Sequence, residues 1–263
     1  MKRILILTDF SKNSRKATTT AFRLYGSDNH YFLMNIYHMP IFGASRGEMY
    51  PLIADDSLEK LKLELDQASK VIDIDHFKID LIAEIGYDEG VIINFIKTRG
   101  IDFVVLGKGS SNNLIGSFTA SITHNSPVAV LLVPAEYECK AIKKIVFATD
   151  LLGVNKKMLV SLLDFAKQNQ SEILILNVYR DNKPNPIAYE AHINGYIENI
   201  SHSYYYVQNN NIVEGITQFA EEQKADQLVI LNRKDSLIER LFHTSMTNKL
   251  TLHAKRPILV LHD

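Results

Sequence analysis

Cysteine is almost absent from this chain, with one residue, Cys139, in 263. A single thiol excludes an intramolecular disulfide and any cysteine-cluster metal site. An excess of one charge is missing too. The 29 lysines and arginines face 30 aspartates and glutamates, for a formal net charge of −1, so no global basic field draws nucleic acid or an anionic membrane surface. The nine histidines are scattered rather than clustered. No apolar run approaches the roughly 20 residues that cross a bilayer. The opening MKRILILTD has a basic pair before a short apolar run, but neither the longer apolar core nor the small-residue cleavage site of a secretory signal. It reads as a buried first strand. A cytoplasmic protein is expected, with neither nucleic acid nor membrane as a partner.

Familiar catalytic signatures are also missing. There is no Gly-x-Ser-x-Gly elbow, no Gly-x-x-x-x-Gly-Lys-[Ser/Thr] loop and no His-Glu-x-x-His pair. Without a nucleophile and its base, a hydrolase with a side-chain nucleophile is disfavoured. What remains is an ordinary globular composition, 46% hydrophobic and 22% charged.

The main positive signal is an internal repeat. Residues 3–9 (RILILTD) return as 144–150 (KIVFATD), and 32–37 (FLMNIY) as 173–179 (ILILNVY). Glu89-Gly90-Val91 matches Glu214-Gly215-Ile216, 101–106 matches 225–231, and PVAVLLV at 127–133 matches PILVL at 257–261. The landmarks keep their order, which points to duplication. Apolar runs without polar alternation suit parallel strands covered on both faces. Alternation with helical segments implies right-handed crossovers in a mostly parallel sheet. Each half reads β-α-β-(α-β)-α-β-α-β, with 78–83 and 203–207 as the added strands and domains at 1–136 and 141–263. Pro40, Gly43, Gly47 and Pro51 mark residues 39–57 as a loop before a helix at 58–71. Residues 182–186 play the same part before a helical stretch containing 189–200.

The segment from Leu106 to Thr119 (LGKGSSNNLIGSFT) lies between a buried strand and a helix at 117–124. Glycine lets a phosphate approach without a Cβ in the way. Gly116-Ser117 at a helix start offers bare amides, a hydroxyl cap and the positive end of the dipole, and Lys108 adds charge. The alternative is a strand-to-helix turn that uses glycine for geometry and serine as a cap. Asp9 and Asp150 end the first strand of each half, where a carboxylate can hold Mg²⁺ or a ribose hydroxyl or simply cap the next helix. The second half's counterpart loop, 231–247, has none of the glycines. Phosphate cradling is not expected there, although Arg233, Lys234, Arg240 and His243 could attract an anion and Thr244-Ser245 could cap the helix. Tyr204-Tyr205-Tyr206 reads as a base-stacking surface or as packing between strand and helix. His124 and His253 read as structural or surface residues.

Thr8-Asp9-Phe10-Ser11, Asn35-Ile36-Tyr37, and Gly107 through Ser117 ahead of Pro127-Val128 resemble the universal stress protein family. So do 237–245 and 255–261, which look like the second halves of its tandem members. The resemblance implies two tandem doubly wound five-stranded sheets with helices on both faces, of the adenine nucleotide alpha hydrolase-like class. Some members bind ATP through Gly-x-x-Gly followed, after a longer interval, by Gly-[Ser/Thr]. Carried over by position, Gly107, Gly109, Gly116 and Ser117 would face the phosphates, and Leu106, Phe118 and Thr119 would belong to the same nucleotide site. Thr8 and Asp9 would lie near ribose and metal, with Asp9 on Mg²⁺, and the backbone at Ile36 near adenine. Here one residue separates Gly107 from Gly109 and six separate Gly109 from Gly116, a shorter loop than the family's.

The expected function is a stress-response regulator that binds ATP, or AMP or ADP, in the first half. The alternative is an interaction module that has lost nucleotide and engages a protein or small molecule. An adenylating or ATP-hydrolysing enzyme is disfavoured because the Ser-Gly-Gly-x-Asp-Ser stretch is missing after the first strand; slow hydrolysis stays open. Duplication makes a monomer feasible, and a homodimer through the last strands is equally open.

Overall fold

The computed structural model describes residues 1–38, 46–86, 88–108, 117–197, 199–232 and 256–262, apart from the side chains of 46–51 and 117. The chain divides into two compact units, Met1–Ala135 and Glu136–Asp263. The first runs β1 (Arg3–Leu7), α1 (Lys12–Tyr25), β2 (His30–Tyr37), α2 (Arg46–Ser69), β3 (Lys78–Ile85), α3 (Gly90–Arg99), β4 (Phe103–Gly107), α4 (Ser117–Asn125) and β5 (Ala129–Val133). The second runs β6 (Lys144–Ala148), α5 (Lys156–Asn169), β7 (Glu172–Tyr179), α6 (Ile187–Ile197), β8 (His202–Gln208), α7 (Ile212–Glu222), β9 (Gln227–Asn232) and β10 (Ile258–His262).

Within the first unit the strands lie in the order β3-β2-β1-β4-β5, and within the second β8-β7-β6-β9-β10. Every described pairing inside a unit is parallel. The chain winds outward from β1 through β2 to β3, then crosses back to β4 on the other side. Right-handed crossovers in opposite directions put helices on both faces of each sheet. Strands covered on both faces should be apolar throughout, and after their first residue β1, β4, β6 and β9 are buried almost end to end. Phe22, Tyr31 and Phe77 form an aromatic nucleus in the first unit, with centroids 4.9 to 5.6 Å apart. Among the described residues no helix is long and apolar enough to cross a membrane.

One element departs from the sequence reading. The helix expected at 58–71 begins twelve residues earlier, at Arg46, and ends at Ser69, so Gly47 and Pro51 fall inside it rather than in a loop. Gly47 and Pro51 weaken a helix rather than forbid it, since propensity is only a weak prior; the buried stripe of Ser57, Leu61, Glu64 and Ala68 holds the part from Ser57 onward. Residues 39–45, which complete the expected loop, lie outside the described residues.

The three tyrosines of β8 follow the packing alternative. Tyr204 and Tyr206 face α6, where their hydroxyls donate to Asn194 Oδ1 (2.8 Å) and Glu190 Oε1 (2.5 Å). Tyr205 faces the other way, its ring 4.8 Å from that of Phe219 on α7.

Candidate functional site

In a doubly wound sheet, ligands sit outside the carboxyl ends of the strands where the winding direction reverses. In the first unit that place lies between β1 and β4. The turn leaving β1 is held in part by its own side chains. The Phe10 N–H donates to Thr8 Oγ1 (3.0 Å) and the Ser11 N–H to Asp9 Oδ1 (3.0 Å). Between them Phe10 takes a left-handed φ of 63°, uncommon for a bulky residue and sustained only where the surroundings over-determine it. Ser11, not Asp9, is the N-cap of α1, accepting from the Ser14 N–H. The cap alternative for Asp9 is therefore set aside, and its carboxylate is exposed at the strand end. Partial burial pushes the Asp9 pKa up, but the Ser11 and Ser14 hydroxyls and the Ser11 N–H together hold it below the usual carboxylate range.

Thr8 is buried, and its hydroxyl is committed inside the protein. It donates to Glu64 Oε2 at 2.7 Å, with Ser14 Oγ 3.0 Å away. Glu64 Oε1 accepts from Thr18 on α1 at 2.6 Å, so this carboxyl, itself only 3% exposed, joins α1, α2 and β1. Burial pushes its pKa up, as does the charge of Asp9; the hydroxyls of Thr18 and Thr8 and the charge of Arg15 oppose this. Asn35, next to Ile36 near the end of β2, donates to the Thr8 carbonyl (2.7 Å) and accepts from Ser57 (2.9 Å). Sequence reading passed over Glu64. The one available signal is its place on the apolar stripe of α2, where an unpaired carboxylate would be costly.

Leu106 and Gly107 end β4 beside β1. The reason for a glycine at 107 differs from the expected one. A Cβ there would lie 2.7 Å from the Asn13 carbonyl carbon and oxygen and 2.8 Å from the Ser14 nitrogen. The missing side chain lets α1 approach β4, independently of any ligand. Lys108 is buried as well; its N–H donates to the Val133 carbonyl (2.8 Å) and its carbonyl accepts from Asn13 Nδ2 (3.2 Å). Gly109 to Gly116 lie outside the described residues. Ser117 opens α4, Phe118 is 39% exposed, and the Thr119 carbonyl accepts from Thr123 Oγ1. The structure therefore brings Thr8, Asp9, Leu106 and Gly107 to one sheet edge.

The second unit repeats the turn. The Leu151 N–H donates to Thr149 Oγ1 (3.2 Å), the Leu152 N–H to Asp150 Oδ1 (3.0 Å), and Leu151 has φ 61°. Asn177 donates to the Thr149 carbonyl as Asn35 does to Thr8. Two things differ. Thr149 Oγ1 meets the neutral phenol of Tyr189 at 2.8 Å in place of a carboxyl. The N-cap of α5 is Asn155, five residues after Asp150 where Ser11 is two after Asp9, so the turn is three residues longer. His192 on α6 holds it by donating to the Val154 carbonyl. By the register of β9 with β6, where Gln227 lies opposite Ile145 as Phe103 lies opposite Ile4, the counterpart of Gly107 is Leu231, which carries a buried side chain. The basic loop at 233–247 and His253 lie outside the described residues.

Among the described residues no group of three or more His, Cys, Asp or Glu could hold a metal. A lone exposed carboxylate does not fit a resident ion. It does fit Mg²⁺ that arrives on phosphates, since this ion keeps its waters and takes only one or two protein carboxylates.

A model of the universal stress protein family matches residues 1–134 and again 141–262. A universal stress protein from Archaeoglobus fulgidus aligns over 98% of this chain and 97% of its own, at 17% identity and a TM-score of 0.68. A functionally unknown protein from Pseudomonas aeruginosa aligns over 100% of this chain and 92% of its own, at 11% identity and a TM-score of 0.60. At these identities the likeness is one of fold. No curated protein matches the chain.

Proposed function

The chain belongs to the universal stress protein family as a tandem two-domain member, and on that footing we propose that it is a stress-response regulator binding ATP, or AMP or ADP, in the first of its domains, 1–136, but not in the second, 141–263. The observation that carries this reading is Asp9: an exposed carboxylate, held below the usual carboxylate range, on a fixed turn at the point where the winding reverses. In this reading Asp9 holds the Mg²⁺ of the nucleotide and the backbone at Ile36 lies beside adenine. Leu106, Gly107, Gly109, Gly116, Ser117, Phe118 and Thr119 border the phosphates. Thr8 serves by fixing the turn rather than by touching ligand. The protein acts in the cytoplasm, as a monomer or as a homodimer.

Titration with Mg-ATP tests this by calorimetry and melting temperature. Binding that disappears in Asp9→Ala and persists in Asp150→Ala is the expected outcome. No heat and no thermal shift at millimolar ligand removes the reading.

Gly107 favours a second reading, an interaction module without nucleotide, because close packing of Asn13 and Ser14 accounts for that glycine with no ligand present. Nucleotide released on acid extraction of freshly purified protein would count against it.

A further inference from the structure

We propose that Glu64 is a positioning residue for the first domain's nucleotide site: through the Thr8 hydroxyl it fixes the turn that aims Asp9. The inference rests on the nucleotide reading above and adds a residue on α2 that touches no ligand. The chain of contacts is short. Glu64 Oε2 takes the one proton of Thr8 Oγ1 at 2.7 Å. That fixes the hydroxyl's rotation and leaves its lone pairs to accept the Phe10 N–H at 3.0 Å. This hydrogen bond holds Phe10 at a φ of 63°, and the next amide, Ser11 N–H, fixes the Asp9 carboxylate. Without Glu64 the Thr8 proton would compete for other acceptors, such as Ser14 Oγ 3.0 Å away, and the left-handed residue would lose its support.

The second domain supplies the contrast. It keeps the threonine, the aspartate and the left-handed residue but backs them with the Tyr189 phenol. A hydroxyl can donate or accept, so it does not impose one direction on the Thr149 proton. A buried carboxylate only accepts, and charge-assisted bonds are the stronger kind.

Glu64 also binds Thr18, which provides an internal control, because that bond does not run through the Thr8 hydroxyl. The test compares affinities for ATP with Mg²⁺ and with EDTA in wild type, Thr8→Val, Glu64→Leu, Glu64→Gln and Thr18→Val, with a melting temperature for each. Glu64→Leu and Thr8→Val should weaken Mg-ATP by about tenfold or more, roughly 1.4 kcal/mol, and leave ATP in EDTA nearly unchanged. A positioned Asp9 acts through the metal; general loosening would weaken both forms alike. Glu64→Gln keeps an acceptor and should stay within about threefold of wild type. Thr18→Val should lose stability and keep its affinity. If Glu64→Leu does not fold, Thr8→Val carries the positioning arm.

Wild-type affinity in Glu64→Leu or Thr8→Val overturns the inference and spares the nucleotide reading. So does an equal loss in Thr18→Val, or an equal loss with and without Mg²⁺. A wild type that binds no ATP removes both together.

Discussion

Gly107 sits where a single methyl group would strike backbone. Its nearest neighbours are the carbonyl carbon and oxygen of Asn13 and the nitrogen of Ser14, at 2.7 to 2.8 Å, and none of them is the flexible end of a side chain. Gly107→Ala should therefore lower stability by about 1–3 kcal/mol, the range for overpacking, as read from the urea midpoint. The constraint belongs to the first domain alone, because Leu231 at the matching register of β9 carries a buried side chain. The glycine itself was legible in the sequence. Its reason was not, because spacing cannot say whether a phosphate or a helix backbone makes the approach. Glu64 provides the second test at this scale. Its folded pKa is raised, chiefly by burial. A raised carboxyl contributes stability that is fully present below its ordinary value of 4.5 and is lost as pH rises through the folded value. Glu64→Gln should match wild type in urea midpoint below that pH and become progressively more stable than wild type toward neutral pH. A constant difference across the range would mean that Glu64 titrates in the native protein as it does in the unfolded chain.

Elements are tethered by a device that recurs in both halves. Asp102 Oδ2 accepts from the Arg3 N–H at 2.8 Å, at the start of β1. Asp226 Oδ2 accepts from the Lys143 and Lys144 N–H groups at 2.9 and 3.0 Å, at the start of β6, and its other oxygen meets Lys140 Nζ at 2.8 Å. Asp102 is exposed and Asp226 is buried. Removing a buried acceptor leaves two amides without their partner, so Asp226→Ala should cost about 1–3 kcal/mol and Asp102→Ala clearly less. The sign of the pH dependence is opposite to that of Glu64. Burial raises the Asp226 pKa, but the Lys140 ammonium and the two amides outweigh it and leave the pKa lowered. Its contribution is present above 3.8 and fades as pH falls through the folded value. Both aspartates stood in the sequence as matched members of the repeat, in IDFVVL and ADQLVIL, yet their task could not be read there because the bonded amides lie far away along the chain. Continuous apolar strands were easy to recognise, since burial on both faces leaves them no polar positions. The start of α2 was not, because Gly47 and Pro51 mark a break that the helix nonetheless runs through.

At the scale of the whole molecule, duplication was plain in the order of the recurring runs, and the divergence of the halves only partly so. Loss of glycines in the second copy was visible; the three-residue lengthening of its first turn was not, because Thr149-Asp150 reproduces Thr8-Asp9 and a helix start is weakly marked in sequence. The two turns are thus the same motif in different surroundings, one backed by Glu64 and close to its helix, the other backed by Tyr189 and further from it. That makes each turn the control for the other inside one chain. The amides of Phe10 and Ser11 bond to Thr8 Oγ1 and Asp9 Oδ1, and those of Leu151 and Leu152 bond to the corresponding atoms of Thr149 and Asp150. Both pairs should exchange hydrogen by the same local opening. A ligand held at Asp9 alone closes only the first. At saturating Mg-ATP, around a hundred times the dissociation constant, the stabilisation available to the bound state approaches about 2.7 kcal/mol. Exchange at Phe10 and Ser11 should then slow by tenfold or more, while Leu151 and Leu152 change by less than about twofold, as read by amide exchange with and without nucleotide. Equal slowing at both turns would mean that the second domain also takes ligand, and that its missing glycines do not decide the matter.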